Sequence, residues 1–162
     1  SHIQADFLKY DFKELKVDKV VSWLALYHMR DRNRLLKKIN SLLVPKGYFY
    51  AEDFFLIKPL NATKMANLAK LFHANHLVIY DEYISELEDN DFKVIDIEKM
   101  SKNWTLFTKN RLATFQENIK STLKIHGQAT VDNILKFYSL AYDLLASNTL
   151  GGLRFIAQKC NK

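Results

Sequence analysis

Hydrophobic and polar positions along the chain alternate between patterns typical of buried strands and patterns typical of amphipathic helices. Residues 17–26 form a nearly continuous apolar run that is β-branched at its start, which predicts a strand buried on both faces. Residues 32–43 place apolar side chains three and four positions apart, which predicts a one-faced helix capped by Asp31. Residues 48–55 predict the next strand. The three elements form a βαβ unit with parallel strands and a right-handed crossover.

The rest of the chain predicts further strands and helices. Residues 3–7 are interpreted as the end of a strand that runs into a loop. Apolar and charged residues alternate over residues 92–100, which predicts a half-exposed strand near the sheet edge. Gly151 and Gly152 predict a turn before a closing strand at residues 153–159. Helices are expected at about residues 61–73, 80–88, 101–125 and 131–147.

Composition places the chain among globular proteins. A hydrophobic content of 48% and a charged content of 26% exclude a disordered or collagen-like chain. The 162 residues fit one domain or a part of a larger one, and no apolar run reaches the roughly 18–20 residues of a membrane span. A single cysteine, Cys160, excludes an internal disulfide and a multi-cysteine zinc site. No third ligand accompanies His73 and His76, so we expect no metal site.

The net charge changes this picture little. The 24 Lys and Arg against 18 Asp and Glu give +6, but no basic patch with regular aromatic interleaving is present, so we do not expect a nucleic-acid partner. The chain starts at Ser1, and we expect it to begin inside a larger gene product. The expected compartment is the cytoplasm, and an organelle such as the mitochondrion is the alternative that the basic pI permits.

Glycine is sparse in this sequence. Its four glycines form neither G-x-G-x-x-G nor G-x-x-x-x-G-K, so the usual phosphate-cradling loops are absent from the sequence. These glycines are Gly47, Gly127, Gly151 and Gly152.

The order of short motifs in the first third resembles class I S-adenosylmethionine-dependent methyltransferases. Residues 5–7, Ala-Asp-Phe, resemble the "g-D-f" that ends the third strand of that family. Residues 17–28 resemble its fourth-strand run "f-D-x-v-x-s-x-x-x-l-h-h". Residues 43–47 are similar to "L-x-P-G-G", with Lys46 at a usual glycine, and residues 50–53 are similar to the next strand, which ends in an acidic residue.

The second half extends the resemblance over essentially the whole chain. Residues 81–94 are similar to the "e-e-Y … a-G-F-x-v" of the sixth strand, with Asp91 in place of glycine. Trp104 to Arg111 resembles a "W-x-x-f-x-x-x-R" stretch of the branch that includes phosphoethanolamine, sarcosine/dimethylglycine and sterol methyltransferases. Residues 153–159 resemble the final, antiparallel strand.

The resemblance implies an α/β fold, namely the C-terminal part of a Rossmann-like methyltransferase sheet. Its strands are parallel except the last, and a helical insertion precedes that last strand. In the family, the acidic residue and the glycine-rich cofactor motif precede the third strand, and this chain lacks both. We therefore expect residues 1–162 to be a single partial methyltransferase domain. Its open sheet edge would pair with the missing N-terminal half or with another protein chain.

The resemblance also implies S-adenosylmethionine as the cofactor. By analogy, Asp6 would accept a hydrogen bond from the adenine amino group and Phe7 would pack near the ring. The alternative for Asp6 is a loop residue that caps a turn. Ser22, Trp23 and Leu24 are further candidates for cofactor binding, because ligands lie outside the carboxyl ends of strands in such sheets.

Candidate residues for the methyl acceptor follow the same strands. His28 is the candidate catalytic base, and the alternative is a histidine that bonds loop backbone. Tyr27 could line the substrate pocket. Glu52 and Asp53 end the next strand as a carboxylate pair that could stabilise a cationic nitrogen, and Asp53 is the predicted substrate ligand; capping is the alternative.

Two more substrate candidates lie on a predicted helix. Trp104 and Arg111, together with Phe107, could form part of a substrate lid, although their helical spacing is more often that of plain core.

Two classes of function remain open from the sequence. The first hypothesis is a fragment, or one half of a split enzyme, that methylates a small molecule. The resemblance favours an amine as that molecule. The alternative is a catalytically inactive, methyltransferase-like structural or regulatory subunit of a larger complex, which the departures at Lys46 and Asp91 favour. The charge alone raises a third idea, a nucleic-acid-associated methyltransferase subunit.

Overall fold

A computed structural model describes residues 2–160 as a four-stranded sheet flanked by helices. A short 3-10 helix, Leu26–His28, follows the first strand. The strands are β1 (Val17–Trp23), β2 (Leu43–Leu56), β3 (Phe92–Lys99) and β4 (Leu150–Lys159). The helices are α1 (Arg32–Leu42), α2 (Ala62–Leu71), α3 (Tyr80–Glu88), α4 (Ser101–Glu117), α5 (Ile119–His126) and α6 (Gln128–Ala146).

The strand order is β1-β2-β4-β3. β1 pairs with β2 in parallel, and β4 lies antiparallel between β2 and β3. The helices α4 to α6 form the insertion before β4. The predicted fold class, including the final antiparallel strand and the helical insertion, is confirmed.

The sheet separates two hydrophobic clusters, because successive residues of β2 point to opposite faces. Phe49 and Phe55 pack on one face with apolar residues of α1 and α3. Phe54 and Leu56 pack on the other face with residues of α2 and α6. No helix within residues 2–160 is long and apolar enough to cross a membrane.

The first strand differs from its prediction. β1 ends at Trp23 rather than at residue 26, and it is not buried on both faces, because Val21 and Trp23 are 49% and 68% exposed. The strand stops there because the next residue, Leu24, has a positive φ of 49°, a conformation that strand residues do not adopt. Among the described residues, only β2 pairs with β1, so the outer edge of β1 is uncovered.

Two other strand and turn predictions were wrong. Residues 3–7 lead into a turn instead of ending a strand, because Oδ1 of Asp6 accepts from the backbone N–H of Leu8 at 2.9 Å. Gly151 and Gly152 lie within β4 rather than in a turn, paired with β2. A Cβ on Gly152 would lie 2.3 Å from the Trp104 ring, so this glycine makes room for the indole on the strand.

The helix predicted over residues 101–125 is divided into α4 and α5 at Asn118. The Asn118 side-chain amide donates to the carbonyl of Thr114 at 2.8 Å, an example of the side-chain to backbone bonding that competes with helix. Gly127 then separates α5 from α6 with a φ of 78°, and α6 begins at Gln128, three residues before the predicted start.

Candidate functional site

Two cavities open where β1 ends. The first, here called the β1 cavity, measures about 200 Å³ and lies against α1. The second, here called the aromatic cavity, measures about 480 Å³ and lies between β2, α4 and α6. Ser22 and Ala25 line the β1 cavity, whereas Leu24 lines the aromatic cavity. Residues close together at the end of β1 therefore line two neighbouring cavities.

Leu24 lies between Ser22 and Ala25 in the sequence but lines the other cavity. Its positive φ of 49° is unfavourable for a leucine, and its backbone N–H donates to the carbonyl of Glu52 at 2.8 Å.

The β1 cavity has almost entirely apolar walls, which suit a flat aromatic ring. Phe7 contributes to it from the segment before β1, and Lys38 of α1 holds that segment by donating to the carbonyls of Leu8 and Tyr10. Asp6 precedes Phe7 without lining the cavity, and its side chain is 49% exposed. The other walls come from Val20, Val21, Leu26, Met29, Leu35 and Ile39.

Aromatic rings dominate the second cavity. Trp104 packs edge-on against Phe54, with ring centroids 5.2 Å apart. Phe107 from α4 and Phe137 from α6 are 66% and 43% exposed. Polar groups reach this cavity from Glu52, Asn103 and Thr108.

Glu52 belongs to a group of charged side chains that crosses three strands. Its Oε1 accepts from the Tyr50 hydroxyl at 2.7 Å and from Nε of Arg154 at 3.2 Å. Arg154 also lies 3.7 Å from Glu98, because both glutamates are opposite this arginine in the sheet register. Burial and the bond to Glu52 raise the pKa of Tyr50, so its hydroxyl remains a donor.

Asp53 points to the other face of β2 and lines neither cavity. It is fully buried, and its Oδ2 accepts from Nη2 of Arg32 at 3.3 Å and from the Tyr83 hydroxyl at 3.0 Å. Its Oδ1 accepts from the backbone N–H of Tyr27 at 3.2 Å. Burial raises the pKa of Asp53, and the Arg32 guanidinium opposes that rise.

The hydroxyls of the two tyrosines in this network stay protonated well above neutral pH because both have raised pKa values. Burial, followed by the charge of Asp53, raises the pKa of Tyr27 to about 12. The same two causes raise the pKa of Tyr83 well above its ordinary value. Tyr27 is 3% exposed and lines neither cavity, so the structure places it in the core beneath the site.

Asp53 was predicted from the sequence to be the substrate ligand of the carboxylate pair. In the structure, Glu52 lines the aromatic cavity and Asp53 does not. Strand alternation shows that two consecutive carboxylates point to opposite faces. It does not show which face carries the cavity, because that depends on where α4 and α6 pack. The sequence therefore shows that one of the two carboxylates faces the cavity side of the sheet, but not which one.

The remaining candidates surround the cavities without lining them. His28 is exposed and its Nδ1 donates to the carbonyl of His73 at 2.8 Å, which leaves Nε2 as the lone-pair nitrogen of the neutral ring. Trp23 is exposed at the end of β1. Arg111 is exposed, and its Nε donates to the Tyr138 hydroxyl at 3.3 Å at the side of the aromatic cavity. The structure thus brings Phe7 and Ser22 to one cavity and Leu24 and Trp104 to the other.

Comparison with known proteins points to one family. Residues 1–51 match the model of the methyltransferase domain family. No curated protein matches the sequence significantly.

Several solved structures share the fold. Phosphoethanolamine N-methyltransferase 2 of Haemonchus contortus, solved with phosphomonomethylethanolamine and S-adenosylhomocysteine, superposes with a TM-score of 0.82 at 16% identity, over 96% of this chain and 36% of that one. A structure described as a sarcosine dimethylglycine methyltransferase from Galdieria sulphuraria gives 0.83 at 11% identity, over 98% and 58%. The cyclopropane synthase MmaA2 of Mycobacterium tuberculosis gives 0.78 at 14% identity, over 97% and 59%.

The chain spans between about a third and three fifths of the length of these structures. At such low identity, the superpositions show the fold alone. Together with the match of residues 1–51, they confirm the predicted resemblance to class I S-adenosylmethionine-dependent methyltransferases.

Proposed function

We propose that this chain is the acceptor-side part of an S-adenosylmethionine-dependent methyltransferase that acts on a small amine. The observation that carries the proposal is the pair of cavities at the end of β1, one an apolar slot and the other an aromatic space with a carboxylate. Their position fits the rule that ligands of α/β sheets bind outside the carboxyl ends of parallel strands.

The β1 cavity suits the adenine end of the cofactor. Its apolar walls, including Phe7, would cover the ring, and the half-exposed Asp6 carboxylate would accept from the exocyclic amine. Similar folds have been solved with S-adenosylmethionine or S-adenosylhomocysteine, which supports the choice of cofactor. When bound, S-adenosylmethionine supplies a methyl group activated by its sulfonium, and the electron pair of the broken C–S bond stays on sulfur.

The acceptor would occupy the aromatic cavity. Its nitrogen contributes the lone pair to the new C–N bond and becomes positively charged, and the Glu52 carboxylate would stabilise that charge. We propose that Nε2 of His28 takes the proton of an acceptor that carries one, because Nδ1 is already committed to the His73 carbonyl. Tyr27 and Asp53 would position the segment before α1 from beneath.

The uncovered edge of β1 supports completion by a further segment. Val21 and Trp23 leave apolar surface exposed there, and the glycine-rich motif that contacts the rest of the cofactor in the resembled family is not in this sequence. We propose that an N-terminal half, on the same or on another polypeptide, pairs with β1. An inactive methyltransferase-like subunit is the competing function.

Calorimetric titration of the full-length protein with S-adenosylmethionine tests the proposal. We expect micromolar binding that Asp6→Ala weakens. Asp11→Ala is the matched control, because Oδ1 of Asp11 accepts from the N–H of Lys13 at 2.8 Å just as Asp6 accepts from Leu8 at 2.9 Å. Absence of binding by the folded full-length protein, both alone and together with any chain that co-purifies with it, would favour the inactive-subunit alternative.

The role of His28 needs a separate test with the same protein. We expect His28→Asn to lower kcat by about 10²- to 10⁴-fold for an acceptor that carries a proton, while the affinity for S-adenosylmethionine stays unchanged. His126→Asn at the exposed end of α5 is the control. An unchanged kcat and pH profile in His28→Asn would contradict the proposed base.

A further inference from the structure

We infer that the aromatic cavity recognises an unphosphorylated ammonium group carried on an apolar body. This inference rests on the proposed function and names the class of acceptor more closely. The acceptor would be an alkylamine that binds as its ammonium ion, loses a proton to Nε2 of His28 to expose its lone pair, and is cationic again once the methyl group is transferred.

The walls match an alkylated cation in two ways. The rings of Trp104, Phe107 and Phe137 line the cavity, and aromatic faces attract cations, most strongly when these are poorly hydrated. Apolar side chains such as Leu24 and Leu145 supply the remaining contact for a hydrocarbon body. The volume of about 480 Å³ is within the usual range of small-molecule sites.

The charge of the cavity has the complementary sign. Both side-chain hydrogen bonds accepted by Glu52 reach Oε1, so among the described residues no donor is bonded to Oε2. Arg154 is shared between Glu52 and Glu98, which leaves the three charges with a net −1. An ammonium ion beside Glu52 would neutralise that charge.

A phosphate group finds no cationic partner in this cavity. Its polar lining within residues 2–160 consists of Glu52, Asn103, Thr108 and the Tyr138 hydroxyl, whereas phosphate sites are typically built from Arg, Lys or converging backbone N–H groups. Arg111 lies beyond Tyr138 and lines a separate cavity of about 310 Å³. This distinguishes the cavity from a site for phosphorylated amines, although a similar fold was solved with phosphomonomethylethanolamine.

The test compares three probes that share a quaternary ammonium group. Butyltrimethylammonium carries an apolar body, phosphocholine carries a phosphate, and 4-(trimethylammonio)butyrate carries a carboxylate. Each is titrated calorimetrically into the full-length protein, with and without S-adenosylhomocysteine. We expect butyltrimethylammonium to bind at least tenfold more tightly than phosphocholine.

Two matched variants identify the carboxylate that is responsible. Glu52→Gln keeps an acceptor for Tyr50 but removes the charge, and we expect it to weaken butyltrimethylammonium about tenfold. Glu98→Gln removes the other charge paired with Arg154, outside the cavity, and should weaken the binding less than Glu52→Gln does, because only Glu52 lines the cavity.

Four results would overturn the inference. These are equal or tighter binding of phosphocholine, tighter binding of the carboxylate probe through Arg111, equal effects of Glu52→Gln and Glu98→Gln, and no binding of any cation. Failure of S-adenosylhomocysteine to bind would instead contradict the proposed function, since the cations are also titrated without it.

Discussion

Arg32 donates from Nη2 to Oδ2 of Asp53 at 3.3 Å, with the two side chains 3% and 0% exposed. Arg32 is the first residue of α1, and Asp53 lies in β2, so the ion pair joins a helix start to the centre of the sheet. Tyr27 bonds the same carboxylate through its backbone N–H. The segment between β1 and α1, which borders both cavities, is therefore held at two points.

Removing only one partner of the Arg32–Asp53 ion pair should strongly destabilise the fold. Asp53→Leu leaves the buried Arg32 guanidinium with only the Glu86 carboxylate, at 4.0 Å from its Nε, so we expect the free energy of unfolding to fall by about 3–5 kcal/mol. Arg32→Met combined with Asp53→Leu removes both charges and should lose less than the sum of the two single variants. Urea unfolding measures all three, and additive losses would contradict the coupling.

An exposed pair gives the contrast. Lys9 lies 3.7 Å from Asp6, and their side chains are 82% and 49% exposed. Lys9→Ala should change the free energy of unfolding by less than about 1 kcal/mol, because solvent screens such pairs.

Gly152 controls the position of Trp104. A Cβ at residue 152 would lie 2.3 Å from the indole, so Gly152→Ala forces the ring to move. We expect a loss of stability of about 1–3 kcal/mol and a shift in Trp104 fluorescence, measured with Trp23 replaced by phenylalanine. Binding in the aromatic cavity should weaken as well, because Trp104 lines it.

Gly127→Ala is the control for that substitution. An added Cβ at Gly127 meets no atom within 4 Å, but its φ of 78° disfavours alanine. Its cost should be of order 1–2 kcal/mol from the backbone alone, with Trp104 fluorescence unchanged. A similar spectral shift in both variants would show that the contact with the indole is not the cause.

The buried Tyr27 should make the fold sensitive to high pH. Its pKa of about 12 in the folded protein exceeds the ordinary value of 10.0, so the folded chain keeps a proton that the unfolded chain loses. The stabilisation is complete below about pH 10 and declines as the pH rises to 12. Tyr27→Phe should reduce that decline, as measured by urea unfolding across this pH range.

Phe54→Leu is the control for the pH dependence. Phe54 packs edge-on against the Tyr27 ring at 5.2 Å but does not ionise, so its loss should lower stability by a similar amount at each pH. A decline in Tyr27→Phe as steep as in the unmodified protein would assign the effect to Tyr83 and other groups.

Local patterns predicted the elements whose partners are close in sequence. The Asp31 side chain accepts from the N–H of Arg34 as a helix cap, and Leu35, Leu36 and Ile39 face the core as their spacing predicts. The edge position of β3 also followed from its alternating pattern.

Features that depend on distant packing were not predictable in this way. Gly151 and Gly152 resemble a turn because nothing local shows that the rings of Phe55 and Trp104 need their space. The burial of Asp53 depends on Tyr27, Arg32 and Tyr83, which lie between 21 and 30 residues away in the sequence. For the same reason the sequence placed candidate residues near the strand end where the two cavities open but could not assign them to one cavity or the other.

Leu24 offers a test of strain at the site itself. Leu24→Ala and Leu24→Gly both remove the side chain that lines the aromatic cavity, but only glycine adopts a φ of 49° without cost. We therefore expect Leu24→Gly to be more stable than Leu24→Ala by roughly 1 kcal/mol, a reversal of the usual order for ordered backbone. Urea unfolding of the two variants measures the difference, and a more stable alanine variant would contradict the strained conformation. If Leu24→Gly also binds acceptors more weakly than Leu24→Ala, the strained backbone itself positions the cavity wall.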